Sequence, residues 1–252
     1  MIFDQFSRKQ KLFIFLFGIF LTNAIVAEII GVKIVSIEKT LGFSPLHWAT
    51  PWGDFWDLNQ TAGALNWPLV FITSDIINDY FGKKGVRFIS FTTALFIAFS
   101  FFIIYTATLL VPADFWVEVN KGFENFNINQ AFSRIFRQGL GIILGSLSAF
   151  LVSQIIDALV FEKIKARTGS KHIWLRATGS TLISQLLDSV LVIGIAFYLF
   201  GNWTFSQWMN VSFNNYFYKF FVAILFTPLL YVAHWAIEKY FCLLYTSDAA
   251  DD

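Results

Sequence analysis

From Phe88 to Ala113 the chain runs without a single charged residue. The hydrocarbon core of a bilayer, roughly 30 Å thick, takes about 20 apolar residues as a helix, because lipid leaves every backbone polar group to be satisfied within the segment. A run this long predicts a membrane-crossing helix. Five other windows approximately meet the requirement. The predicted spans are Leu12–Val35, Ala62–Phe81, Phe88–Val111, Gly139–Phe161, Ala177–Phe200 and Tyr216–Ile237. Only 14% of residues are charged, too few to cover a water-facing surface when soluble domains carry about 25%. The expected fold is all-α, one six-helix transmembrane domain over residues 1–241 with no room for a second soluble domain.

The ends of the chain need separate treatment. Arg8, Lys9 and Lys11 precede the first apolar run, which is too long for a signal-peptide core and is read as a retained helix. Cys242, the one cysteine, excludes an intramolecular disulfide and a cysteine-based metal cluster. The stretch from Cys242 to Asp252 resembles a translated sequencing-library adapter, so 242–252 is expected to be a non-native tail.

Lysine and arginine set the orientation. With the N-terminus inside, the cytoplasmic side holds twelve of them: Arg8, Lys9, Lys11, Lys83, Lys84, Arg87, Lys163, Lys165, Arg167, Lys171, Arg176 and Lys239. The opposite side holds five, Lys33, Lys39, Lys121, Arg134 and Arg137, and Lys219 lies within a span. Both termini are therefore expected in the cytoplasm. The outer loops, Ser36–Thr61 and Pro112–Gln138, are rich in aromatics such as Trp48, Trp52, Trp56, Trp116, Phe123, Phe132 and Phe136. They suit an interfacial belt and amphipathic surface helix, or a lid over an outward-facing cavity. A net charge of +1 points to no nucleic-acid partner.

Polar side chains inside the spans are the informative exceptions, because charged ones in hydrocarbon cost about 2.5–3.5 kcal/mol even on lenient scales. They are Asn23, Glu28, Asn66, Asp75, Asn78, Asp79, Gln154, Asp157, Gln185, Asp188, Lys219 and His234. Two matching tetrads stand out, Ser153-Gln154-x-x-Asp157 in the fourth span and Ser184-Gln185-x-x-Asp188 in the fifth. Gln and Asp three apart share one helix face. The short loop between these spans makes them antiparallel neighbours. The second span adds Asp75, Asn78 and Asp79 at the same period. Hydrogen bonds between helices could account for many of these groups. The functional alternative is a polar ring around a neutral planar solute, with carboxylates accepting from its N–H donors, amides doing either, and Lys219 donating to a carbonyl. Aromatic rings near the outer ends could stack on its face. A guanine-like edge fits, but composition alone does not single it out.

Other chemistries find little support. No His/Glu/Asp spacing resembles a zinc site, no Gly-rich phosphate loop occurs, and no histidine is placed beside Ser180 as a base. His172 lies in the basic loop and His234 near the inner end of the last span. Neither an enzyme nor a bound cofactor or metal is expected, and no filter-like motif suggests a channel.

The second span, from Trp67-Pro68 through Thr73-Ser74-Asp75 to Tyr80-Phe81-Gly82, resembles the signature helix of the queuosine precursor transporters, a family related to vitamin-uptake transporters. Asn23 in the first span, Gln154-x-x-Asp157-x-x-x-Phe161 in the fourth, Ala177-x-x-Ser180-Thr181-Leu182 with Asp188 in the fifth, and the Lys219 span ending in Pro228 agree in order. The resemblance implies import of a 7-cyano- or 7-aminomethyl-7-deazaguanine across the bacterial cytoplasmic membrane. It also implies a six-helix fold similar to the substrate-binding components of energy-coupling-factor transporters. Those components carry small residues four apart on the first helix for docking an energising module. Here Ala24 and Ala27 are three apart and Gly18 with Thr22 is a poor substitute, which puts such a partner in doubt. The candidate substrate-binding residues are Asn23, Asp75, Asn78, Gln154, Asp157, Gln185, Asp188 and Lys219. Another nucleobase or heterocyclic vitamin is the alternative cargo, and a non-transporting scaffold is the alternative from another class.

Overall fold

The computed structural model describes residues 6–31, 33–51, 55–120, 126–137, 140–169, 173–200 and 202–248. Trp52, Gly53, Lys121, Phe123, Gln138, Gly139, Lys171, His172 and the last four tail residues lie outside the described residues, as does the side chain of Trp56. Among the described residues, five helices are long and apolar enough to cross a membrane. They belong to α1 (Arg8–Ile30), α3 (Trp67–Leu109), α6 (Leu140–Thr168), α7 (Ile173–Ile193, extended by a π-helical turn over Gly194–Leu199) and α8 (Phe205–Asp248). Between them lie three short helices, α2 (Ile37–Thr40), α4 (Asp114–Val119) and α5 (Ile128–Phe136).

Two of the six apolar windows thus fall in one element, α3. Its 43 residues would reach about 65 Å if straight. It is not straight. At Gly82 the backbone leaves helical geometry (φ 68, ψ −179), a conformation that glycine adopts without a Cβ clash. A Cβ placed on Gly85 would lie 3.4 Å from Ile77 Cγ2, eight residues back along the chain. A continuous helix would separate those positions by about 12 Å, so the chain doubles back at Gly82. Phe13 of α1 meets both sides of this bend, with ring centroids 4.9 Å from Phe81 and 6.2 Å from Phe88.

The segment between α1 and α3 holds structure that apolar windows cannot show. Strands β1 (Ile34–Ser36) and β4 (Asn59–Thr61) pair antiparallel, with Val35 opposite Gln60. Inside that ribbon a smaller one pairs β2 (Trp48–Ala49) with β3 (Phe55–Trp56). Glu38 pins the ribbons, accepting from the Leu58 amide at 2.5 Å and the Ser36 hydroxyl at 3.0 Å. Burial pushes its carboxyl up, yet those hydrogen bonds outweigh it and hold the group below the ordinary value of 4.5. A 3-10 turn, Ala62–Leu65, then leads into α3. It touches α1 so closely that a Cβ on Gly63 would lie 2.2 Å from the Ala27 carbonyl oxygen.

The packing is polar inside and apolar outside. Phe20, Val70, Ile77, Ile89, Phe150 and Phe161 form the core, while Leu95, Phe102, Phe221, Leu225 and Val232 are exposed. Ser74, Asn78, Gln154, Ser180, Ser184, Gln185 and Ser189 are buried. Lipid rewards this arrangement, since its tails solvate apolar side chains as well as a protein core does.

Candidate functional site

The twin tetrads meet face to face. Antiparallel packing of α6 and α7 lets each serine reach the other helix's carboxylate: Ser184 Oγ donates to Asp157 Oδ1 at 3.0 Å and Ser153 Oγ to Asp188 Oδ1 at 3.4 Å. This reciprocal clasp is the interhelical hydrogen bonding that Gln–Asp spacing suggested. Beyond the clasp the two halves differ. Gln154 is occupied, its Oε1 accepting from Ser74 Oγ of α3 at 2.9 Å. Gln185 is 1% exposed, and neither polar atom of its amide finds a hydrogen-bond partner among the described residues. Asp157 stays within the helix interface, whereas the other oxygen of Asp188 pairs with Lys219 Nζ of α8.

Lys219 stands between two cavities that share it, Trp67 and Ala64. The first holds about 490 Å³ of empty space, its mouth included, between α3, α7 and α8. Trp67, Phe71, Tyr218 and Phe226 wall it, Thr178 and Thr181 line one side, and Asp75 is its carboxylate. Asp75 is 5% exposed and its Oδ1 has no hydrogen-bond partner among the described residues. An unsatisfied buried carboxyl oxygen is costly, so it is a natural place for a ligand donor. The second cavity, about 1050 Å³ with its mouth, is lined by α1, the 3-10 turn, α7 and α8, with Thr61 of β4 in its wall. Glu28, Ser146, Asp188 and Asn215 supply its polar groups.

The sequence-predicted residues separate accordingly. Asp75, Asp188 and Lys219 line the cavities. Gln154 and Asp157 join helices, and Asn78 Nδ2 reaches the Ala158 carbonyl of α6 at 3.4 Å. Asn23 donates to the Ile19 carbonyl of its own helix at 2.9 Å and lines neither cavity. Gln154 and Asp157 of α6 line neither cavity, because these bonds hold that stretch behind α3 and α7, although Ser146 of the same helix lines the second. Glu28, noted as polar but left out of the candidate set, lines the second cavity. The aromatic lining was also unassigned, although Trp67 and Phe71 are four apart, with ring centroids stacked at 5.7 Å, and Tyr218 and Phe226 are eight apart on one face of α8.

One turn below Asp75, Asp79 closes the far end of the first cavity's helices. It binds Lys165 Nζ of α6 at 2.6 Å and Arg176 of α7 at 2.7 Å, with His234 Nε2 of α8 at 3.8 Å. Tyr80 OH lies 3.3 Å from the other His234 ring nitrogen. Four helices thus converge on one carboxylate, a structural lock rather than a ligand site.

Residues 61–233 match the protein family described as "Putative vitamin uptake transporter", a segment that contains α3, α6, α7 and the cavity-lining part of α8. A "Probable queuosine precursor transporter" of Bacillus subtilis is 29% identical over 71% of this chain and 74% of its own length. A "Probable queuosine precursor transporter" of Haemophilus influenzae is 27% identical over 89% and 86%. The "Queuosine precursor transporter" of Escherichia coli is 27% identical over 69% and 72%. No solved structure matches the chain. The family match spans well over half of the sequence and includes α3, α6, α7 and the cavity-lining part of α8, while α1, which adds Ala27 and Glu28 to the second cavity, lies outside it; the chain belongs to this family and is a multi-pass membrane transporter.

Proposed function

We propose that this transporter imports a queuosine precursor, 7-cyano- or 7-aminomethyl-7-deazaguanine, into the bacterial cytoplasm across the cytoplasmic membrane. Three relatives are named queuosine precursor transporters, two of them as probable. The observation that carries the reading is the Asp75 oxygen, without a hydrogen-bond partner among the described residues, at the wall of an aromatic cavity. A 7-deazaguanine offers two N–H donors beside a carbonyl oxygen. A carboxylate accepts both donors, and an ammonium donates to the carbonyl. In this assignment Asp75 takes the donor edge, Lys219 takes the carbonyl, and Trp67 or Tyr218 stacks on the ring. Asp188 holds Lys219 in place. Gln154, Asp157 and Asn78 set the helices around the site, and Asn23 supports α1.

The same reading takes α3 as two spans joined at Gly82, giving six in all with both termini inside. The positive-inside bias and the length of α3 support it. Ala24 and Ala27 are buried within the bundle, so that pair is not open to an energising module, while Gly18 and Thr22, four apart, are exposed on α1. A family description naming vitamins keeps a heterocyclic vitamin as the second reading for the cargo.

The test uses a strain unable to make the precursor and lacking its own importer. Cells expressing the chain receive the 7-cyano or 7-aminomethyl base, and queuosine is assayed in tRNA. Rescue by either base is the expected result. Rescue by neither, with the protein present in the membrane, sinks the assignment.

A further inference from the structure

Three helices wall the first cavity, and all three run from it into the Asp79 cluster. Asp75 of α3, Ala177 of α7 and Leu230 of α8 belong to the lining. Asp79 lies four residues past Asp75, His234 lies four past Leu230, and Arg176 directly precedes Ala177. Four residues advance a helix by about 6 Å. Each wall therefore places a member of the cluster within about one turn of the lining, and α6 adds Lys165 from outside it. The result is a floor one layer thick. Arg176 and His234 are 3% and 5% exposed, whereas the side chains of Asp79 and Lys165 are 16% and 32% exposed, so the cluster reaches from the interior to the surface.

The floor is sealed by more than the ion pairs. Tyr80 stacks on His234 with ring centroids 5.4 Å apart. Arg176 lies 5.6 Å from the centre of the Phe161 ring and donates to the Gly169 carbonyl at 2.9 Å. A solute passing in this direction between α3, α7 and α8 must part Asp79 from Arg176. Stability alone does not ask for charge at such a place. Well-packed apolar side chains hold helices together as well as a buried ion pair or better, and charges inside a membrane protein are costly. What an ion cluster adds is a way to come apart. Once water enters, each charged member is solvated, whereas an apolar plug exposed to water regains nothing.

We infer that the Asp79 cluster is the inner gate of this transporter: closed as seen here, it shuts the first cavity from the cytoplasm, and the solute leaves when Asp79 parts from Arg176 and Lys165. The cytoplasmic side given to the gate rests on the proposed topology above, with both termini inside. Nothing in the gate depends on which solute is carried. The bonds that lock the four helices are then also the ones that the transport cycle breaks and remakes, which gives the cluster two arrangements rather than one.

The experiment reads access to the cavity from each side of the membrane. Cys242→Ser leaves the chain without a thiol, and Ala223→Cys then places one on the wall of the first cavity. A small membrane-impermeant methanethiosulfonate is applied to right-side-out and to inside-out vesicles, and the rate of labelling is measured. With the cluster intact, labelling from the cytoplasmic face should be slow. Asp79→Asn should speed it by about tenfold or more, and Lys165→Met, which leaves Arg176 on Asp79, by about threefold. Gln154→Leu loosens the same helices away from the floor and should change it by less than about twofold. An Asp79→Asn protein that is present in the membrane yet labels no faster from the cytoplasmic face overturns the inference and leaves the proposed topology standing. An equal rise in Gln154→Leu does the same. A rise confined to the outer face overturns the topology and the inner gate together. Should Asp79→Asn fail to accumulate, Lys165→Met decides in its place, and unchanged labelling from the cytoplasmic face overturns the inference. Labelling needs no transported base, so a failure of the precursor assignment leaves this result intact.

Discussion

Ser153-Gln154-x-x-Asp157 and Ser184-Gln185-x-x-Asp188 are the same motif on adjacent helices, and they end in different places. Each serine is spent on the other's carboxylate, so the clasp treats both alike. The difference comes from the third helix that each one meets. α6 packs on α3, whose Ser74 satisfies Gln154. α7 packs on α8, whose Lys219 takes Asp188 and brings it to the cavity walls. One tetrad is consumed by packing, while the other keeps a charged pair at the cavity walls and a buried amide without a partner among the described residues. An identical local pattern is therefore structural or functional according to what its neighbours leave over.

That contrast is sharpest in the carboxylates. Asp188→Asn should abolish uptake, about 100-fold or more, and should also lower stability, because removing one partner of a buried ion pair costs about 3–5 kcal/mol. The double variant Asp188→Asn with Lys219→Met should recover membrane abundance without recovering transport. Asp157→Asn keeps an acceptor for Ser184, so about 1 kcal/mol of stability and no more than about threefold of uptake should be lost. Uptake and thermal unfolding in detergent measure both. An Asp157→Asn variant that transports as poorly as Asp188→Asn while remaining equally stable would break the comparison.

The glutamines make the next step down. Gln154→Leu strands the Ser74 hydroxyl in a dry interface and should cost about 1–3 kcal/mol. Gln185→Leu removes an amide with no partner among the described residues, so stability should hold or rise slightly. If that amide serves the transported solute, Gln185→Leu should nonetheless reduce uptake by about tenfold. Rising stability with falling uptake is the signature of a group kept for function, and unchanged uptake would move Gln185 to the packing side. Asp79 is the charged counterpart on that side. Asp79→Asn should loosen the junction of α3, α6, α7 and α8 and lower the unfolding temperature.

What the sequence made legible follows from these cases. Spacing along a helix is local, so the shared face of Gln and Asp, the antiparallel pairing and the apolar windows could all be read directly. Partner choice is tertiary: nothing around Lys219 says that it meets Asp188 rather than Asp75. Asn23 illustrates the opposite error. An asparagine in a membrane helix can satisfy itself on the carbonyl four residues back, and its sequence environment looks the same either way. The break between the second and third windows was legible, but not that Gly82 makes it, because one glycine among aromatic and basic residues carries no sign of its φ. The ribbons between 34 and 61 were hidden because strands of two or three residues are too short to show alternation.

A carboxylate outside the membrane gives a third fate for an acid in this chain, and the mildest test. Glu38 holds the β ribbons together through the Leu58 amide and the Ser36 hydroxyl. Its folded value lies below the 4.5 of the free group, so the unfolded loop binds the proton more tightly than the folded one. The stabilisation is thus fully present above about pH 4.5 and is lost as the pH falls through the folded value. Hydrogen exchange at the Leu58 amide, corrected for its intrinsic pH dependence, should speed up on acidification. Glu38→Gln should exchange faster already at neutral pH and show little further change on acidification. Uptake at neutral pH should be nearly the same in both proteins, because Glu38 lines neither cavity. A large uptake defect in Glu38→Gln would instead make the ribbons a moving lid over the second cavity, and would place a third acid on the transporting side of the contrast.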